Sequence, residues 1–266
     1  MRRLALLPVV VTALALSSVA WAQAPPAPFF NGFETDTSGW VDYSGTVTRV
    51  PSGTDGIPSA DGDYHAKVTG LCYTRWGGYS GVWPDGGFVT ELDIYLDVTY
   101  NGANDTRFDW TSAISTPANA HRRDFVFNAG FYTDLGAPAF VISASNNAGR
   151  ANSYPKNPGR DPVTISNSGW YTFRHSFYDS GSGVLAVDMS IWDAGGNNIK
   201  TWTLSDPTDI IGSTVGGNRY GWFASNEFPY LAIDNSYRSG TDAPEPATWV
   251  LLAATGILGI VRGRRR

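Results

Sequence analysis

The sequence predicts an all-β protein, an antiparallel β-sandwich, on three observations. In the run 88–98, Leu92, Ile94, Leu96 and Val98 alternate with Glu91, Asp93, Tyr95 and Asp97. That period of two marks a strand with one buried and one wet face. No stretch between residues 29 and 240 sustains a helical period. Finally, twenty of the 24 acidic residues are Asp and only four are Glu, a choice that suits turns and strand ends better than helices.

In chain order, residues 23–28 read as a Pro/Ala linker, and the domain, 29–240, opens at 29–33 with a bend at Asn31-Gly32. Short strands are expected at 46–50 and 64–68, around a loop rich in Gly, Asp and Pro, before the clear strand at 88–98. Others follow at 107–115, 124–132 and 139–145, then a polar loop of Asn, Pro and Gly over 146–162. Strands at 170–178 and 184–193 flank a Ser-Gly-Ser-Gly turn, and 198–204 returns across Gly195-Gly196-Asn197, a hairpin signal. Residues 206–211 are expected to form one helical turn, and strands at 219–225 and 230–235 close the domain. About a dozen short strands separated by Gly/Asn turns are the pattern of a sandwich.

Both ends of the chain carry address signals. Arg2 and Arg3, the apolar run 4–19 and the small-x-small site Ala20-Trp21-Ala22 have the anatomy of a secretory signal peptide over residues 1–22, cleaved after Ala22 or, alternatively, after Ala24. At the other end, residues 243–266 hold Pro244-Glu245-Pro246, a charge-free apolar run over 247–261, and Arg262, Arg264, Arg265 and Arg266. The prolines hold the entering chain extended. The apolar run closes its backbone hydrogen bonds as a helix, as lipid demands. At ~1.5 Å per residue it reaches ~22 Å, short of the ~30 Å hydrocarbon core, so snorkelling arginines and local thinning must supply the rest. The arginines hold the tail on the cytoplasmic side and leave the preceding chain outside.

This order of Pro-Glu-Pro, short membrane helix and terminal arginines resembles the PEP-CTERM sorting signal of Gram-negative bacteria. The resemblance implies an exosortase as partner, a membrane cysteine transpeptidase that cuts near the motif. It implies passage through the inner membrane, then residence at the cell surface or in an extracellular biofilm matrix. It gives an address and says nothing direct about what the exported domain does.

Residues 23–242 hold thirteen basic against 23 acidic side chains, a balance of −10 within a chain whose net charge is −5. Such a surface argues against nucleic acid or anionic lipid as partner and fits neutral glycans or cations such as Ca²⁺. Cys72 is the only cysteine, so no internal disulfide or thiolate cluster is possible, and it reads as a small buried hydrophobe. His65, His121 and His175 form no metal motif, and neither a nucleophile elbow nor a P-loop is present.

The opening Phe33-Glu34-x-Asp36-x-x-Gly39-Trp40 and the closing Ala232-Ile233-Asp234-Asn235 resemble the first and last strands of concanavalin-like and carbohydrate-binding jelly rolls. The resemblance implies that these segments lie side by side and that Glu34 and Asp234 bind a structural Ca²⁺. Hard oxygen ligands from distant segments would also staple a domain without disulfides. The loop bearing Asp55, Asp61 and Asp63 is a second possible ion site, or simple Asp-Gly turn chemistry.

Concanavalin-like glycoside hydrolases carry Glu-x-Asp-x-(x)-Glu on one strand. Glu91 and Asp93 match the first two positions, but Tyr95 and Leu96 stand where the second glutamate belongs. The carboxyl pair at ~5–5.5 Å that retaining hydrolysis requires is therefore missing, while an inverting arrangement remains open. For binding, Trp76, Tyr79 and Trp83 crowd a glycine-rich stretch with Tyr73 and Arg75. Their flat rings suit stacking on sugars, or plugging the sandwich edge. Trp40, Trp110, Trp170, Trp192, Trp202 and Trp222 are expected in the core. The leading expectation is an exported, non-catalytic glycan-binding or structural protein with an exopolysaccharide partner. The runner-up is a polysaccharide hydrolase or lyase using Glu91 and Asp93.

Overall fold

The computed structural model describes residues 27–146 and 154–240. They form two antiparallel sheets packed face to face, the expected sandwich. The first sheet runs β13 (Asn198–Ile210), β12 (Val184–Asp193), β11 (Gly169–Asp179), β6 (Phe88–Leu96), β15 (Leu231–Arg238), β4 (Tyr64–Val68) and β3 (Val47–Pro51), with β1 (Phe29–Asn31) added along the end of β15. The second runs β10 (Val163–Ile165), β9 (Ala139–Asn146), β8 (His121–Tyr132), β7 (Thr106–Ser115), β14 (Asn218–Asn226), β5 (Cys72–Thr74) and β2 (Trp40–Asp42). The signal peptide, most of the linker and the sorting segment lie outside the described residues, among which no helix is long and apolar enough to cross a membrane.

Alternation decides which side chains meet between the sheets. From β6, Phe88, Leu92, Ile94 and Leu96 point inward, and from β7 Phe108, Trp110 and Ile114 meet them. Phenylalanines dominate this layer. Phe88 stacks on Phe177 with centroids 4.4 Å apart, and Phe127 meets Phe173 edge-on at 5.1 Å. Each buried ring contributes about 1.5–3 kcal/mol of transfer free energy. Cys72 is buried in the same cluster, its thiol pushed up to about 11 by desolvation, as befits a packing residue. Phe29 to Asn31 pairs antiparallel with Ser236 to Arg238, so the first and last strands are neighbours. The Arg238 guanidinium donates to the Ala27 carbonyl and ties the two ends of the domain together.

The expected helical turn at 206–211 is replaced by strand, because β13 continues to Ile210. Pro207 is tolerated there since β13 is an edge strand and needs no ladder donor at that position. A register shift in the β12–β13 pairing marks the bulge. Asp209, almost fully buried, accepts from Arg122 Nε at 2.7 Å and Arg123 Nε at 2.5 Å, linking this edge to β8 of the opposite sheet. The short strands β2, β5 and β10 have no counterpart in the sequence reading; three residues are too few to display a period.

Candidate functional site

The outward face of the second sheet carries a patch of aromatic side chains on β2, β5 and β14. Register brings it together: Trp222 lies opposite Tyr73, and Tyr73 opposite Val41, so their side chains share one row. Tyr43, two residues beyond Val41, stands 73% exposed at the rim. A register shift between Asn218 and Gly221 inserts an extra residue into β14 and turns both Arg219 and Tyr220 toward Tyr79. The result is an open hollow of about 200 Å³ lined by Tyr43, Tyr73, Tyr79, Tyr220 and Trp222. Tyr220 meets Trp222 edge-on at 5.9 Å and Tyr79 at 6.4 Å, while His121 stacks flat on it at 6.1 Å. Burial pushes the Tyr220 phenol up to about 12, aided by the Asp124 carboxylate, so it stays a neutral hydroxyl.

Two guanidinium groups border the hollow. Arg75 lies 4.8 Å from the Tyr79 ring and Arg219 lies 4.7 Å from it, and both reach further tyrosines. Arg219 donates to the Asn119 carbonyl at 2.7 Å, and Arg75 to the Tyr73 hydroxyl at 3.3 Å. Neither forms an ion pair with a carboxylate among the described residues. The Arg219 Nε and Trp222 Nε1 donors are buried without an acceptor there. Further along the same face a polar ladder crosses three strands. Asn128 donates to Asp109 at 2.8 Å and accepts from Ser145 at 2.8 Å and from Arg160 at 2.9 Å.

The sequence expectation of Trp76, Tyr79 and Trp83 as stacking residues is therefore corrected in two of three members. Trp76, at φ 47°, continues the inward series of Cys72 and Thr74, while its neighbour Arg75 stays exposed. It is fully buried, edge-on to Trp110, over Gly221, where even a methyl group would come within 2.5 Å of its ring. Trp83 packs edge-on to Phe88 against the core. Only Tyr79 joins the platform. Trp222, expected in the core, is half-buried on the outer face. The signal was present in the alternation of Tyr220 and Trp222 with Gly221 and Phe223, but tryptophan's usual burial outweighed it.

Glu91 and Asp93 lie on the outward face of the first sheet and are engaged there. Glu91 pairs with Arg174 at 3.3 Å. Asp93 accepts from the Thr172 hydroxyl at 2.5 Å and the Asn235 amide at 2.9 Å. Burial pushes both carboxyls above their ordinary range, with the Asp93 charge adding to the effect on Glu91.

Asp234 lies directly across from Asp93 in the β15–β6 pairing. Desolvation pushes it up to about 7, against hydrogen bonds from the Asn235, Asp61 and Ala60 amides. The calcium assignment to Glu34 and Asp234 does not fit this chemistry. Glu34 accepts from the Asp63 and Tyr64 amides at 3.1 Å, and Asp234 from Ala60 at 3.0 Å. Backbone N–H groups present positive ends to these oxygens, the polarity that recognises carboxylate and opposes a cation. Of the second loop, Asp55 pairs with Lys67 at 2.6 Å and Asp61 caps the Gly62 amide. No group of three or more potential metal-ligating side chains gathers among the described residues.

Compared with known proteins, residues 242–266 match the PEP-CTERM protein-sorting motif, so the sorting signal read from the sequence stands and implies an exosortase as processing partner. No curated protein sequence is significantly similar to the chain. Among solved structures, a marine PL-14 alginate lyase from Aplysia kurodai aligns at 11% identity and TM-score 0.40, over 72% of this chain and 87% of its own. The winged bean acidic lectin complexed with methyl-alpha-D-galactose aligns at 12% and 0.42, over 79% and 96%. The Lotus tetragonolobus seed lectin aligns at 12% and 0.38, over 83% and 100%. At these distances no residue or activity of theirs is carried to this chain.

Proposed function

We propose that this chain is an exported envelope or biofilm-matrix protein, sorted by an exosortase, whose folded domain binds glycan on the aromatic face of its second sheet and does no chemistry on it. The observation that carries the reading is the hollow of Tyr43, Tyr73, Tyr79, Tyr220 and Trp222. Rings half-buried in a sheet offer flat apolar area at little entropic cost, and their hydroxyls and the indole N–H offer polar contacts at the edge. Sugar rings, apolar on their C–H faces and polar at the rim, complement such a surface.

The absence of catalysis is part of the proposal. Glu91 is paired with Arg174 through one oxygen, and both Asp93 oxygens accept from Thr172 and Asn235, which supports that reading. The sorting motif supports export and processing, and the final location, cell surface or extracellular matrix, is part of the same proposal.

A glycan array probed with the full-length chain in detergent tests it. Binding is expected for at least one polysaccharide, reduced tenfold or more by Trp222→Ala and by Tyr220→Ala, with no release of reducing ends or unsaturated sugars. A bare array, or turnover abolished by Glu91→Gln, overturns it, the latter in favour of the hydrolase or lyase reading.

A further inference from the structure

The two arginines at the hollow deepen this reading, on which the following rests. Arg75 and Arg219 approach one ring, Tyr79, at 4.8 and 4.7 Å, and neither has a carboxylate partner among the described residues. That is unusual company in a domain whose exported span carries ten more acids than bases. Among the other described arginines four meet carboxylates, while Arg49, Arg160 and Arg238 bond to carbonyl or amide oxygens. Arg107 forms a two-pronged bond to Asp105, Arg122 and Arg123 share Asp209, and Arg174 meets Glu91.

Asp124, whose charge reaches Tyr220, lies 3.2 Å from His121. Stacking on tyrosine holds each guanidinium plane in place, so little freedom is lost when an anion is met. A surface of aromatic faces bordered by two guanidinium groups without carboxylate partners among the described residues fits a ligand that is flat and negatively charged.

We propose that the hollow selects acidic sugars, binding the ring carboxylate of a uronic acid through Arg75 and Arg219 while the sugar face stacks on Tyr220 and Trp222. Guanidinium forks match carboxylates in plane, and charge-assisted hydrogen bonds are about twice as strong as neutral ones. The domain's overall negative charge does not forbid this. Screening over about 8–10 Å confines each charge's influence to its own neighbourhood.

The test titrates the full-length protein in detergent with polygalacturonate, with a neutral glucan and with poly-glutamate, at low and high salt. Polygalacturonate is expected to bind most tightly and to weaken as salt rises. Arg219→Gln and Arg75→Gln should each weaken it about tenfold, and weaken any neutral-glucan binding far less. Arg75 is exposed, so Arg75→Gln is expected to keep the wild-type melting temperature and serves as the control for folding.

Neutral glucan binding as tightly as polygalacturonate, or a double arginine variant with unchanged affinity, overturns acid selectivity while the glycan platform stands. Poly-glutamate binding as tightly as polygalacturonate overturns it in favour of an acidic peptide ligand. No binding of either glycan, with Trp222→Ala silent, removes platform and selectivity together.

Discussion

Asp234 shows how one side chain can serve packing at the expense of its own charge. Fully buried beside Asp93, it is held up to about 7 by desolvation, although three backbone amides favour its ionised form. An unfolded Asp titrates near ~3.9. Between about pH 4 and 7 the folded state therefore binds the extra proton, and stability falls as pH rises through that window. The contribution is present below pH 4 and lost by about pH 7. Denaturant melts of the wild type and Asp234→Asn across this range are expected to differ by an amount that drifts in the variant's favour as pH rises. A difference that stays constant would show that Asp234 does not titrate there.

His175 works in the opposite sense. Burial among Phe127 and Phe177 pushes it down to about 3, so its neutral ring, hydrogen-bonded to the Phe125 carbonyl, adds stability that is lost as pH falls below the ordinary histidine range.

Among elements, the loop between β3 and β4 is the one whose anchoring matters most. Glu34, beyond β1, grips the Asp63 and Tyr64 amides, and Asp234 on β15 grips Ala60 and Asp61. Two distant segments thus fasten one loop through N–H donors, the task a bound cation was expected to perform. Thermal melts with and without a strong chelator are accordingly expected to coincide. A melting temperature that drops on chelation and returns with Ca²⁺ would contradict this arrangement.

The strand content of 88–96, 107–115 and 184–193 was legible because each run is long enough to show its period. Element ends were less so. Residues 206–211 read as one helical turn, but β13 runs through them, and as an edge strand it accommodates Pro207. The stacking residues were misjudged for a local reason: Trp76 follows Cys72 and Thr74 on the inward side of a strand too short to show its period, and the inserted residue in β14 breaks the alternation at Arg219. Neither departure leaves a mark on composition or spacing.

At the scale of the molecule, the two sheets divide the work. The first brings together the strands that begin and end the domain, with Arg238 tying the Ala27 carbonyl beside them. The second presents its outward aromatic face to solvent. The sorting motif at residues 242–266 follows closely on β15, so the same chain end that closes the fold leads to the exosortase signal. The address was written in the sequence because lipid and charge impose it on composition. The proposed binding face was not, because it assembles from residues 43, 73, 79, 220 and 222, whose union depends on pairing between strands far apart in the chain.

The most direct measurement is oxidative footprinting of the full-length protein with and without a bound polysaccharide. Protection is expected at Tyr43, Tyr73, Tyr220 and Trp222, with Tyr95, Trp192 and Tyr237 on the first sheet unchanged. Protection confined to those three, beside Glu91 and Asp93, would place the ligand on the wrong sheet and contradict the account.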